Sequence, residues 1–267
     1  MFINAGSRDE LANEFGIAHF TEHGFFKGTE HRKAYQVNCR LENLGGELNA
    51  FTTKEDTTVH ATVLRGDFAK AVELIADVVF HSTFPDHLLD KEREVILDEI
   101  NTYRDSPNDD IYDTFEDMIF AGSELGHNIL GTPRSLKGIN SAAIHRFRAR
   151  THTTDKMVFA SIGNISPNRI KEIAERYFGG YIATTQAFKR VKPVDVEQFE
   201  KVINKRTHQA HCIIGARAYN LADKRRLPFA LLTNILGGPC ANSRLNINVR
   251  ERNGLTRSEE RRVGKEC

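Results

Sequence analysis

His19, Glu22 and His23 have the residue types and the spacing to hold and use a metal ion. The run His19-Phe20-Thr21-Glu22-His23 reads H-x-x-E-H, the mirror of the H-E-x-x-H zinc signature. On a helix the two histidines stand four residues apart and project from one face. Two imidazoles so placed can grip one Zn²⁺. Glu22 shares that face, where a carboxylate can take a proton from water activated by the metal. That chemistry is a metallopeptidase's.

A catalytic zinc site usually has three protein ligands and an open position. The third ligand is expected on the helix opened by Pro85, in Glu92-Arg93-Glu94-Val95-Ile96-Leu97-Asp98-Glu99-Ile100. Glu92 and Glu99 lie seven residues apart, two turns along one face, about 10 Å along the axis. Both cannot easily share one ion. One would be the ligand, and the other would fix a histidine or orient a ligand through a hydrogen bond. Spacing alone leaves Glu92, Glu99 and Asp98 open. The remaining histidines (His31, His60, His81, His87, His127, His145, His152, His208 and His211) show no ligand spacing around the signature and are expected to be structural or exposed.

Elements must position these groups. The periodicity predicts a strand end at Phe2–Gly6, a helix carrying the signature, and a helix over 34–44 stopped by Gly45-Gly46. A strand pair follows over 48–53 and 57–64, where Val59, Ala61 and Val63 alternate with Thr58, His60 and Thr62. Helices are predicted over 67–79, 85–104, 111–121, 136–150 and 167–177, with Asp105-Ser106-Pro107-Asn108-Asp109 as a break. Residues 157–162 read as a strand. After a polar stretch over 181–207, a strand is predicted over 211–216 and a helix over 226–236, echoing the start of the chain. Interleaved helices and strands with at least one hairpin make this an α/β chain.

Composition sets bounds. The chain has 267 residues, is 40% hydrophobic and 27% charged, and carries a net charge of +1. These are values of an ordinary globular protein and give no argument for nucleic-acid binding. No apolar run approaches the ~20 residues of a membrane span. Cys39, Cys212, Cys240 and Cys267 form no C-x-x-C pair, so neither a zinc ribbon nor a thioredoxin-like site is expected.

On these motifs the chain resembles the pitrilysin-type zinc peptidases, the inverzincins, which include mitochondrial processing peptidase and many bacterial relatives. The resemblance runs through Asn4-Ala5-Gly6-Ser7-Arg8-Asp9-Glu10, Gly16-Ile17-Ala18-His19-Phe20-Thr21-Glu22-His23, Phe26-Lys27-Gly28-Thr29 and the Glu92–Ile100 segment. It implies that His19, His23 and Glu99 bind one Zn²⁺ per chain, that Glu22 is the base, and that Glu92 supports a ligand by hydrogen bonding. It implies that Asn49, Ala50, Phe51 and Thr52 lie on an edge strand to which a peptide substrate adds as a further strand.

The fold implied is an α/β, α+β sandwich-type half, with packed helices on a mixed, largely antiparallel sheet, followed by part of a second, homologous half. The expected organisation is a zinc-binding half over 1–186, a linker over 187–207 and the start of the second half over 208–256. In that second half the family has a substrate-binding arginine and, seven residues on, a tyrosine. Arg250 takes the arginine position, whereas position 257 holds Arg257. Residues 257–267 are strongly charged and resemble translated sequencing adapter, so they are expected to be an artefactual tail. The N-terminus looks cut within a strand, which would remove any leader.

The implied function is a zinc-dependent endopeptidase hydrolysing peptides or unfolded segments, with water activated by zinc and a glutamate base. The fragment itself is expected to be inactive or weak. The alternative is a non-catalytic subunit of a processing-peptidase-like complex. The parent could be a homodimer or a heterodimer with a related subunit, in the bacterial cytoplasm or periplasm.

Overall fold

A computed structural model describes residues 1–185, 189–206 and 208–256. The chain divides into two compact units, Met1–His211 and Cys212–Cys267. In the first, the strands are β1 (Phe2–Ile3), β2 (Glu47–Thr52), β3 (Thr57–Thr62) and β4 (Met157–Val158). Its helices are α1 (Ile17–Phe25), α2 (Ala34–Glu42), α3 (Phe68–His81), α4 (Asp86–Asp105), α5 (Pro107–Ile119), α6 (Pro133–Leu136), α7 (Ser141–Thr151) and α8 (Pro167–Phe178).

The sheet order is β2-β3-β1-β4. Every described pairing is antiparallel, in keeping with a largely antiparallel sheet. β2 and β3 form the predicted hairpin, with Asn49 opposite His60, Ala50 opposite Val59 and Phe51 opposite Thr58. β2 is an edge strand. Helix α1 packs on β2, α4 and α7, while α3 packs on β3, α2 and α8. Ile3, Ile17, Phe20, Phe25, Val59, Leu74, Val78, Leu89, Ile96 and Phe147 form much of the core between them. Burial at Leu89, Glu92, Ile96 and Ile100 marks the inward stripe of α4, which is how one face of that helix reaches α1.

Four sequence expectations are corrected. The break before α5 is Ser106 alone, because Pro107 occupies the first turn, where its missing N–H costs nothing. The helix expected over 136–150 is two helices. Asn140 caps α7 through its Oδ1, which accepts from Ala143 N at 2.9 Å, and Lys137-Gly138-Ile139 runs between α6 and α7. The strand expected over 157–162 ends at Val158, because its ladder partner β1 is only two residues long. No strand forms over 211–216, where Ile214 is fully solvated and no described segment supplies a ladder.

The described part of the stretch expected as a linker, 189–206, is irregular and belongs to the first unit. Arg190 meets Asp9 Oδ2 at 2.7 Å and Asn4 Oδ1 at 2.8 Å. The second unit holds α9 (Arg226–Gly237) and a π-helical segment, Asn246–Glu251. Leu227, Leu231, Leu232 and Ile235 of α9 are exposed. Arg257 and the expected tail lie outside the described residues.

Candidate metal centre

Helix α1 presents the H-x-x-E-H residues from a start that is fixed by buried polar groups. Its N-terminal residue Gly16 sits at φ +94 and has no side chain to cap the helix. Glu10 does this instead: its two oxygens accept from Gly16 N at 2.9 Å and Ala18 N at 2.8 Å. His127 Nε2 meets the same carboxylate at 2.9 Å, and its ring stacks on Phe15. Burial pushes the Glu10 carboxyl up, while His127 and the two backbone donors pull it down. A carboxylate on exposed N–H groups suits a helix N-terminus. A Cβ on Gly16 would stand 2.7 Å from Leu130 O, so the turn requires glycine.

One turn further on, His19 and His23 stand together, ring centroids 4.5 Å apart. From α4, Glu99 Oε2 comes to 3.7 Å from His19 Nε2 and 3.8 Å from His23 Nε2. These separations are too long for hydrogen bonds. They are close to the roughly 3.3 Å between ligand atoms around a tetrahedral zinc with bonds near 2 Å. Two imidazole nitrogens and a carboxylate oxygen, converging without bonding one another, fit a zinc ion with one position left open.

The surroundings act differently on each donor. Burial pushes His19 down to about 3, helped by the neighbouring His23, so its ring is neutral. His19 Nδ1 is buried and makes no hydrogen bond. His23 is held differently. Burial works against its charge, but Glu92, Glu22 and Glu99 outweigh it and raise its pKa. Its Nδ1 donates to Glu92 Oε1 at 2.7 Å, which leaves Nε2 facing Glu99. Burial would raise Glu92, yet His23 and Lys27 hold it below the usual carboxylate range. Lys27 Nζ lies 2.5 Å from Glu92 Oε2. Burial raises Glu99, opposed by His23.

Glu22 projects from the same turn as His19 and His23. Burial pushes its carboxyl up, while the Thr52 hydroxyl beside it and His23 pull it down. Thr52 closes β2, so the edge strand and the metal centre share a boundary. Along that strand Asn49 and Phe51 are exposed and Ala50 is buried. Ala50 N donates to Asn49 Oδ1 at 2.9 Å.

Of the residues singled out from sequence, the structure brings His19, Glu22, His23, Glu92, Glu99 and Thr52 into one cluster. Asp98, on the same helix, is absent from the group of converging donors. Arg250 belongs to the π-helical segment of the second unit, where its Nε lies 3.5 Å from Glu251 Oε1. Sequence reading missed Lys27 and Glu10. Lys27 lies past the end of α1, so the helical spacing of the signature does not point to it. Glu10 had no signal either, since its partners are brought to it by a loop.

The family described as insulinase, peptidase family M16, matches residues 1–133, and the peptidase M16 inactive domain matches residues 138–258. The chain is similar to an uncharacterized zinc protease, YmxG, of Bacillus subtilis, with 36% identity over 97% of this chain and 62% of that protein. An uncharacterized zinc protease of Streptomyces coelicolor is 32% identical over 97% of this chain and 58% of its own length. The chain thus spans about three-fifths of the length of these curated relatives. In fold it is similar to a peptidase M16 inactive domain from Pseudomonas fluorescens, with a TM-score of 0.80 at 19% identity, covering 95% of this chain and 62% of that one. With the helices that carry His19, His23 and Glu99 inside the first matched region and the fold shared along nearly its whole length, the chain belongs to peptidase family M16, the insulinase and pitrilysin type.

Proposed function

We propose that this chain carries the zinc-binding and proton-transfer residues of an endopeptidase that cleaves peptides or unfolded segments. The observation that supports this most is the convergence of His19 Nε2, His23 Nε2 and Glu99 Oε2 beside Glu22 and a sheet edge. His19, His23 and Glu99 would hold Zn²⁺, one ion at this site. Bound there, zinc supplies Lewis-acid polarisation of a carbonyl and lowers the pKa of water.

Glu22 has the proton-transfer role. Its carboxylate accepts a proton from water as the water oxygen adds to the scissile carbonyl, then returns it to the amide nitrogen as the C–N bond breaks. Glu92 holds His23 with Nε2 turned to the ligand position, and Lys27 keeps Glu92 ionised for that bond. Residues Asn49 to Thr52 offer main-chain groups along a free edge, so an extended peptide can add there with little dependence on its side chains. For that to happen the Asn49 amide gives up Ala50 N–H to the incoming strand. Arg250 is the proposed substrate-binding arginine of the second unit. The names of the relatives, zinc proteases, support the same reading.

The experiment is peptide hydrolysis by the full gene product, wild type against Glu22→Gln, with zinc measured on the same samples. Loss of about 10²- to 10⁴-fold in rate with zinc retained is expected. A Glu22→Gln protein at wild-type rate removes Glu22 from the mechanism, and hydrolysis that survives a chelator removes zinc.

A further inference from the structure

A second group of metal-binding side chains gathers where the segment leaving α1 meets the end of α3. One nitrogen each of His31 and His81 and a carboxylate oxygen of Glu30 lie within 4.8 Å of one another. The backbone fixes this meeting. Glu30 N donates to His81 O at 2.9 Å, Thr83 N donates to Gly28 O at 3.2 Å, and Thr29 bridges to Ser82.

Both rings are oriented from behind. His31 Nδ1 donates to Asp77 Oδ1 at 2.7 Å, and Asp77 is itself buried and held by Thr29 Oγ1 and Arg32. This is the relation that Glu92 has to His23, a carboxylate that takes one ring N–H and leaves the other nitrogen as a donor. His81 Nε2 lies 2.7 Å from the Tyr181 hydroxyl, and its Nδ1 faces Glu30 Oε2 at 3.2 Å. His81 Nδ1 and Glu30 Oε2, hydrogen-bonded to each other, would turn to an ion held between them, with His31 Nε2, the nitrogen not taken by Asp77, as the third donor. The two rings stand 4.7 Å apart, edge to face, with the Glu30 carboxylate beside them.

We propose that Glu30, His31 and His81 form a second divalent-metal site, taking zinc or another ion that favours imidazole, and that the ion ties the segment after α1 to the end of α3. Glu30 and His31 are exposed, so water completes the coordination, and binding is weaker than at the buried centre.

The test is equilibrium dialysis of the chain against Zn²⁺ alone, with metal counted per folded chain. About two equivalents are expected for wild type, and about one for the His31→Ala/His81→Ala double variant. Tyr181→Phe and Glu30→Gln, conservative changes at half-exposed and exposed positions, are expected to weaken the second equivalent by about tenfold. Equal zinc uptake by wild type and the double variant overturns the site. Should the double variant not fold, unchanged second-equivalent affinity in both Tyr181→Phe and Glu30→Gln overturns it equally. A His19→Ala/His23→Ala variant separates the two centres: it is expected to keep the weaker equivalent and lose the tighter one. Loss of the weaker equivalent in that variant, with His31 and His81 intact, also counts against an independent second site.

Discussion

His23 serves two carboxylates of one helix: its Nδ1 donates to Glu92 Oε1 at 2.7 Å while its Nε2 faces Glu99 Oε2 at 3.8 Å. The seven-residue spacing on α4 makes this possible, because two turns bring both glutamates to one face. Glu92 fixes the ring and Glu99 completes the donor set. Replacing Glu92 by Gln keeps the shape but removes the charge that holds the Nδ1 proton. Zinc affinity is expected to fall about 10- to 100-fold, read by competition with a chromophoric chelator. Lys27→Met should give a smaller loss in the same direction, since it acts only through Glu92. Unchanged affinity in Glu92→Gln would mean that the His23 bond only packs the helices.

Gly24 follows His23 directly and faces a ring that cannot retreat. A Cβ there would stand 2.5 Å from Phe84 Cδ1. Phe84 is fully buried at φ 50, outside the region most residues prefer. Alanine gains about 1 kcal/mol in helix propensity over glycine. Overpacking costs about 1–3 kcal/mol and here outweighs it. Gly24→Ala is expected to lower the stability of the apo protein in a urea titration. A stabilised variant would show that Phe84 moves freely.

Asp77 makes acid sensitivity a test of the junction between α1 and α3. Burial would raise its pKa, but His31, Arg32 and Thr29 outweigh that and hold it below its ordinary 3.8. A depressed folded pKa adds stability at pH values above the unfolded one, and the gain is lost as pH falls through the folded value. Asp77→Asn should therefore cost about 1.5–3 kcal/mol at pH 7 in chelator, the worth of hydrogen bonds to a charged group. The gap to wild type should narrow below pH 3.8. A gap that stays constant into acid would contradict the assignment.

Recognition along β2 should follow the peptide backbone. N-methylation of a bound peptide at alternate amides removes donors to a sheet edge without altering side chains. Affinity for Glu22→Gln full gene product is expected to drop about tenfold for one set of alternate positions and little for the other, by fluorescence anisotropy. Equal tolerance of both sets would argue against strand addition.

How much of this was legible in sequence differs by residue. H-x-x-E-H and the Glu92/Glu99 pair were legible because each lies on one helix, where spacing fixes direction. The hairpin was legible from alternation at Val59, Ala61 and Val63. The break between α6 and α7 was hidden, because Leu136, Ile139, Ala143, Ile144 and Phe147 are all buried and keep the apolar pattern running through it. The end of the strand at Val158 is not legible in 157–162, because a strand ends where its partner does, and β1 is short. His31 and His81 show no ligand spacing in the sequence. Their juxtaposition with Glu30 is tertiary, made by a loop folding against the end of α3.

The most direct measurement of the central claim is tight zinc retained after exhaustive dialysis, compared among wild type, Glu22→Gln and Glu99→Gln. Glu99 faces both histidines and is the proposed ligand, whereas Glu22 lies beside them and is the proposed base. Wild type and Glu22→Gln are expected to keep about one tightly held ion per chain, and Glu99→Gln to lose it. A Glu99→Gln protein that holds zinc as tightly as wild type would contradict the assignment of this centre.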